Sequence, residues 1–290
     1  DMVNEYIDAR LECNEIELTL FSTYPNIGIR INNGNLLSDV ARDTVADTYD
    51  YRGKDTLLTF SDCKVSFNIL DYLRKKEITI NNVVLENAGI YGFVNTAGKA
   101  NWEIISADTT VVADIDIDTV ASPLPPINLK HLVVKNANLA YYSRTQRLYT
   151  AINGLNLDVK GNLVADTNFL DIAAEWKRFR YYSQEYSLQN SLDLKLNTQL
   201  QISDNYSRFK FPEANLLVNQ IPFSVKGEIF NNTENNSIDM DIEYDLNVPN
   251  IEGLLTFVPK KFTEGHNLKT KGEVFLAETV KGTLDSVNFP

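Results

Sequence analysis

The sequence predicts a mainly β protein: a long, mostly antiparallel and curved sheet built from repeated units, with a few short helices. Three observations predict it. First, apolar and polar residues alternate over long runs. Leu192, Leu194, Leu196, Leu200 and Ile202 alternate with Asp193, Lys195, Asn197, Gln199 and Gln201. Ile238, Met240, Ile242, Tyr244 and Leu246 alternate with Asp239, Asp241, Glu243 and Asp245. A period of two sends successive side chains to opposite faces of a strand, and one solvated face suits antiparallel pairing. Second, such runs reach about ten residues, or about 33 Å at ~3.3 Å per residue, longer than most strands. Strands of that length in series describe an extended curved sheet better than a compact sandwich. Third, ITINNVVLENAGIYGF at 78–93 recurs as INLKHLVVKNANLAYY at 127–142. The corner pair is Asn87-Ala88 in one copy and Asn136-Ala137 in the other, and apolar positions coincide from Ile78/Ile127 to Ile90/Leu139. A shared apolar skeleton with few identities marks a repeated structural unit. Each copy reads as two strands about a tight corner, in the manner of a hairpin.

Taken in order, residues 2–12 carry a helical pattern through Met2, Tyr6, Ile7 and Leu11. Strands are predicted at Ile16–Phe21 and Ile27–Ile31. Residues 33–55 are polar and open on Asn33-Gly34, so they read as a loop with a fragment of helix near Leu37–Arg42. Leu57–Phe60 and Cys63–Asn68 read as strands. Ile69, Leu70 and Leu73 then fall at helical spacing, and Arg74-Lys75-Lys76 place cations at the negative end of that helix. Strands about the Glu86-Asn87 corner follow, and the unit ends at Trp102–Ile105. Val111–Asp118 alternates, and the prolines at 123, 125 and 126 mark a boundary, because proline cannot donate to a sheet ladder. The chain therefore divides into a first β unit over 1–122, with its N-terminal helix, and a second over 123–290 that continues the same sheet. From Ile127 onward it is almost all strand. One helix interrupts it, with Asn250 as N-cap, an apolar stripe of Ile251, Leu254, Leu255 and Val258, and Pro259 as its end. The tail from Leu268 returns to strand.

The chain has 290 residues, 43% apolar and 23% charged, enough for two ordinary domains or one long β structure. Its net charge of −12 disfavours nucleic acid, which needs clustered Lys and Arg, and adsorption to an anionic bilayer surface. No run approaches the ~18 apolar residues of a membrane span, and the first residues lack the basic and apolar regions of a signal peptide. Met2 behind Asp1 suggests a trimmed start with sequence upstream. Cys13 and Cys63 lack CxxC spacing, so no metal knuckle is expected; one disulfide and two buried thiols both remain open.

The run Leu73–Trp102 resembles the AsmA family of bacterial envelope proteins: a helix-ending basic turn, a strand pair, then a "dG.aNW" signature. Here the signature is Ala97-Gly98-Lys99-Ala100-Asn101-Trp102, with Ala where the family often has Asp. The tail is similar too, in Val258-Pro259, Gly272, Val280-Lys281-Gly282-Thr283 and Pro290. The likeness is specific over 70–105 and 240–290, diffuse between them, and of Bacteroidetes texture. It implies relatives among TamB-like and bridge-like lipid-transfer proteins, which stack β-groove repeats into a trough with an apolar floor. It also implies a periplasm-facing chain, anchored to the inner membrane by a segment upstream of Asp1, with no catalytic residues. Gly98, Asn101 and Trp102 then serve folding, with Gly98 turning the chain and Trp102 burying a large apolar area.

Catalytic and metal motifs are absent: there is no HExxH, GxSxG or P-loop. The histidines are His131, in an alternating strand, and His266, in a polar loop. The acidic ladders at Asp114, Asp116 and Asp118 and at Asp239, Asp241 and Glu243 read as solvated faces, since calcium-loop geometry is missing. Sequons at Asn205, Asn231 and Asn235 sit in Asn-rich loops. The aromatic cluster Trp176, Phe179, Tyr181, Tyr182 and Tyr186 reads as packing.

The expectation is therefore a non-enzymatic envelope segment, without metal or cofactor, whose apolar groove takes phospholipid or another acyl lipid, with envelope proteins as further partners and no nucleic acid. Leu192, Leu194, Leu196, Ile238, Met240 and Ile242 are the candidate floor. The physical motive is that two short helices cannot cover the aliphatic side of several long strands. The rivals are a structural or adhesive β module that pairs through open edges and a polysaccharide-processing enzyme, which needs paired carboxylates in a cleft.

Overall fold

The alternating runs are strands in the computed structural model, which describes residues 9–19, 26–38, 40–41, 55–75, 78–104, 127–162, 168–184, 187–188, 192–203, 207–219, 221–232, 237–257 and 270–284. Strands β1 (Arg10–Glu12), β2 (Glu15–Thr19), β3 (Asn26–Leu37) and β4 (Thr56–Asn68) come first. Helix α1 (Ile69–Lys75) leads into β5 (Ile78–Glu86) and β6 (Gly89–Val94). Then come β7 (Ile127–Leu129), β8 (His131–Ser143), β9 (Leu148–Gly161), β10 (Asn168–Trp176), β11 (Arg178–Tyr182) and β12 (Ser187–Leu188). They are followed by β13 (Leu194–Ser203), β14 (Arg208–Val218), β15 (Ile221–Asn232), β16 (Ser237–Val248), a 3-10 helix η1 (Ile251–Phe257) and β17 (Val274–Leu284). All seventeen strands belong to one sheet. Pairing runs outward from β2 through β3, β4, β5, β8, β9, β10, β13, β14, β15 and β16 to β17.

The predicted mainly β, curved sheet is therefore the fold, and among the described residues every strand pairing is antiparallel except one seam. At that seam the two sequence repeats lie side by side. Ile78 pairs with Ile127, Glu86 with Lys135 and Val94 with Ser143, all parallel and at a constant offset of 49 residues. The hairpin reading of each copy is thus corrected: β5 and β6 form one bent line, and so do β7 and β8. The cause is conformational. Asn87 has φ 52° and Asn136 φ 53°, the left-handed region that Asn tolerates, so the chain bends at one residue and goes on as strand.

The bend crosses the sheet as a crease. Asn33 in β3 has φ 50° and Gly154 in β9 φ 66°. Asn33 lies opposite Ser61, since its neighbours Asn32 and Gly34 pair with Asp62 and Phe60. A ladder of side chains follows the crease. Asn87 Nδ2 donates to Ser61 Oγ at 3.0 Å, and Asn136 Nδ2 donates to Asn87 Oδ1 at 2.7 Å. Asn136 N donates to Asn156 Oδ1 at 2.9 Å, and Asn156 Nδ2 to Glu175 Oε1 at 3.1 Å. Inside the angle sits the core: Phe60, Ala88, Val134 and Ala137, with Leu58, Leu85, Leu139 and Leu157 against them. Gly34 lies directly under the Phe60 ring, where an added Cβ would meet ring carbons at 2.1–2.6 Å.

Other expectations need correction. The helix read at residues 2–12 gives way to β1, whose Arg10, Leu11 and Glu12 pair with Leu37, Leu36 and Asn35; the free edge of β3 outweighs the helical spacing. The loop read from residue 33 is strand to Leu37, because Asn33-Gly34 bends a strand instead of turning it. Leu57–Phe60 and Cys63–Asn68 are one strand, β4. Helix α1 stands as predicted: Asn68 Oδ1 accepts from Leu70 N at 2.9 Å, and Arg74 and Lys75 close the last turn. Asn250 caps η1 through Glu252 N at 3.0 Å, but the element is 3-10. Residues 2–8, Ile105, Val111–Asp118, the 122/123 boundary with its prolines, Tyr186, Asn205, Asn235, Val258-Pro259, His266 and Pro290 lie outside the described residues. Among the described residues no helix is long and apolar enough to cross a membrane, and Cys13 and Cys63 are free thiols.

One ion cluster pins the face opposite the core. Arg30 Nε and an Arg30 terminal nitrogen donate to Asp62 Oδ2 at 2.8 and 2.6 Å, and Lys64 Nζ lies 3.3 Å away. The Arg30 hydrogen bonds outweigh burial and hold the Asp62 carboxyl below its usual range. A carboxyl depressed in the fold contributes stability that is full above its unfolded pKa and lost as pH falls through the folded one. Asp62→Asn is therefore expected to lower the melting temperature at neutral pH. The gap to the parent should close as pH falls below the ordinary carboxylate range; a gap unchanged down to pH 2 would contradict this role.

Candidate functional site

Opposite residues in a ladder share a face, so the register tells which side chains form a surface. One row crosses the sheet from edge to edge. It begins Ile16, Ile31, Cys63, Leu85, Val134 and Leu157. It continues Ala174, Leu196, Leu216, Phe223, Leu246 and Leu276. A second row beside it runs Leu18, Ile29, Val65, Val83, Leu132 and Val159. It goes on through Ile172, Thr198, Ala214, Val225 and Tyr244 and ends on Glu278. Twelve strands at ~4.8 Å spacing make a stripe about 53 Å long.

The stripe is only partly covered. Val134 is 7% exposed at the crease, Ile16 is 63% exposed at the β2 edge and Leu276 37% at the β17 edge. The other members of the first row are half-buried, as expected where side chains shield their neighbours and, among the described residues, no second sheet lies on top. Among the described residues thirteen apolar residues are fully buried and six of those are alanine, so the closed core is thin. Helix η1 covers one end, where Gly253 stands against Ile221. Beyond the crease the apolar face continues through Leu36, Leu58, Ile90, Leu139, Ile152 and Phe179.

Five of the six predicted floor residues lie on this face. Leu196 is in the row, Leu194 pairs with Trp176 and Val218, and Ile238, Met240 and Ile242 follow one another along β16 beside Leu284, Gly282 and Val280. Leu192 precedes β13 and is half-buried. Ile16, Leu18, Leu85, Phe223 and Leu246 belong to the same surface. They were missed because nothing in a single strand says which strand lies next to it. The other face is ionic. Lys281 pairs with Asp241, Thr283 with Asp239, and Lys226 with Glu243 at 2.7 Å, so the second acidic ladder is a charge-paired outer surface. Among the described residues no group of three or more His, Cys, Asp or Glu is placed to hold a metal.

The signature residues divide their work differently from the expectation. Gly98 turns the chain at φ 82°, and Asn95 Oδ1 ties the turn by accepting from Ala97 N and Lys99 N, both at 2.9 Å. Asn101 is the buried one, at 0% exposure. Its Oδ1 accepts from Phe93 N at 2.9 Å and its Nδ2 donates to Tyr91 O at 2.7 Å. Trp102 is 47% exposed, which corrects the large burial expected of it. Its ring lies over Gly92, 3.2 Å from where a Cβ would stand, and 6.1 Å from the Tyr141 ring. Of the aromatic cluster, Phe179 joins the apolar face, and Tyr182 packs on Tyr149 at 5.9 Å.

Against known proteins, no family model, no curated protein and no solved structure matches this chain.

Proposed function

We propose that this chain is a segment of an AsmA-like envelope protein that offers an apolar β-groove to phospholipid or another acyl lipid. In this reading the parent chain faces the periplasm, is anchored in the inner membrane upstream of Asp1, and has no catalytic role. The observation that carries it is the edge-to-edge stripe. A continuous apolar surface of that length exceeds what single soluble chains ordinarily leave exposed, and acyl chains are the ligand whose chemistry fits a long surface with few polar groups. The AsmA-like signature at Gly98, Asn101 and Trp102 supports the same reading.

Native mass spectrometry of the purified protein, with lipid extraction, tests it. Co-purifying phospholipid is expected. Leu196→Asp puts a carboxylate in the middle of the stripe at a half-buried position. It should abolish lipid retention while leaving far-UV circular dichroism unchanged and the melting temperature within a few degrees. An empty parent protein that also extracts nothing from phosphatidylethanolamine vesicles would overturn the proposal. Empty protein that instead self-associates would favour the rival reading, a β module joined through the outer edges of β2 and β17.

A further inference from the structure

The ionic face of the sheet is not flat. Two concavities of about 590 and 300 Å³ meet there and share Asp158, Ala173 and Asn197. Together they have the volume of a small-molecule site, ~300–1,000 Å³. Their polar residues alternate with the stripe residues along each strand and so face the other way, while Val134, Leu157, Ala174 and Leu196 of the stripe also line the smaller one. Ala173 is the floor. It stands between Asp158 of β9 and Asn197 of β13 in the ladder, so one methyl group sits between two larger, polar neighbours. One wall is the bulge of β14, where Pro212 and Glu213 sit between the paired residues Phe211 and Ala214. A proline cannot donate to the ladder, and a bulge re-aims the side chains beside it.

The lining is as much apolar as polar, and its charges are balanced. Carboxylates of Asp158, Asp171, Glu175 and Glu213 face ammonium groups of Lys135, Lys160 and Lys195. Several are already oriented: Asp158 Oδ1 lies 3.1 Å from His131 Nε2 and 3.4 Å from Lys160 Nζ, and Gln199 Nε2 donates to Asp171 Oδ1 at 2.9 Å. Near-cancelling charge gives little attraction to an ion of either sign. Carboxylate acceptors beside amide and ammonium donors instead match a ligand whose hydroxyls both donate and accept. Val133 and Ala173 add small apolar spots where the C–H face of a sugar ring can rest. We propose that this trough binds a short neutral oligosaccharide, independently of any lipid on the other face.

Isothermal titration calorimetry with maltohexaose, cellohexaose and chitohexaose tests the idea, with spermidine and inorganic phosphate as charged controls. Saturable binding of at least one hexasaccharide is expected. Ala173→Trp fills the floor from an exposed position and should weaken that binding about tenfold or more, with melting temperature and lipid content unchanged. Gln199→Ala should weaken it less. Three results would each overturn the proposal: no hexasaccharide binding at millimolar concentration, binding that survives both substitutions, or displacement of the sugar by spermidine or phosphate.

Discussion

Asn101→Leu is expected to destabilise the protein by about 3–5 kcal/mol in urea denaturation, because two buried backbone groups each lose a partner at ~1–3 kcal/mol apiece. Leucine keeps the branched shape but adds volume at a fully buried site, so overpacking adds to the lost hydrogen bonds. The need for Asn101 lies in the neighbouring strand. β4 pairs with β6 only at Leu58–Ile90 and Thr59–Gly89, and among the described residues no other strand lies along that edge of β6, only the single bridge from Val94 to Ala100. Asn101 takes the place of a strand there: its amide spans Tyr91 O and Phe93 N, and its own backbone N donates to Phe93 O at 2.9 Å. Ser38 Oγ in turn donates to Asn101 O at 2.7 Å. Since whole domains have ~5–15 kcal/mol of stability, this one substitution approaches unfolding. Trp102→Ala should cost less, about 1–2 kcal/mol, as only half of the ring is covered. A larger loss from Trp102 than from Asn101 would show that the motif acts through its aromatic ring.

Much of this was legible in the sequence, for physical reasons that also mark where legibility ended. Alternation at Leu194–Ile202 and Ile238–Leu246 placed each side chain on a face, because a period of two is a local property of one strand. The repeat at 78–93 and 127–142 was legible as a repeat. Its geometry was not, because an asparagine that turns a hairpin and an asparagine that bends a continuous strand have the same left-handed backbone. Asn33-Gly34 misled in the same way. The one available signal was the constant offset of the matched positions, which suits copies lying parallel in register. Trp102 invited burial by its size, whereas the smaller Asn101 was the residue the fold enclosed. The apolar stripe was half legible. Its floor residues were visible strand by strand, but joining Leu85 to Val134 or Leu216 to Phe223 required knowing non-local pairing.

Asn136→Val should cost about 2–3 kcal/mol, whereas Asn136→Gly should cost no more than about 1. The difference follows from backbone conformation. A β-branched residue at φ 53° bears a left-handed penalty of ~1–2 kcal/mol that glycine escapes, and both variants lose the bond to Asn87 Oδ1, worth ~1 kcal/mol. Asn87→Val should behave alike, since it sits at φ 52° with its own bond to Ser61. The two asparagines touch, so a double-mutant cycle is expected to show coupling of ~0.5 kcal/mol or more. Hydrogen exchange should quicken first at Asn138, whose N–H donates to Ala88 O at 2.7 Å across the crease. The crease also sets the angle between the two apolar arms, so the valine variant should bind acyl lipid more weakly than its loss of stability explains. Equal stability of the valine and glycine variants would mean that the bend is held by the Phe60 core alone, and that the asparagine ladder merely decorates it.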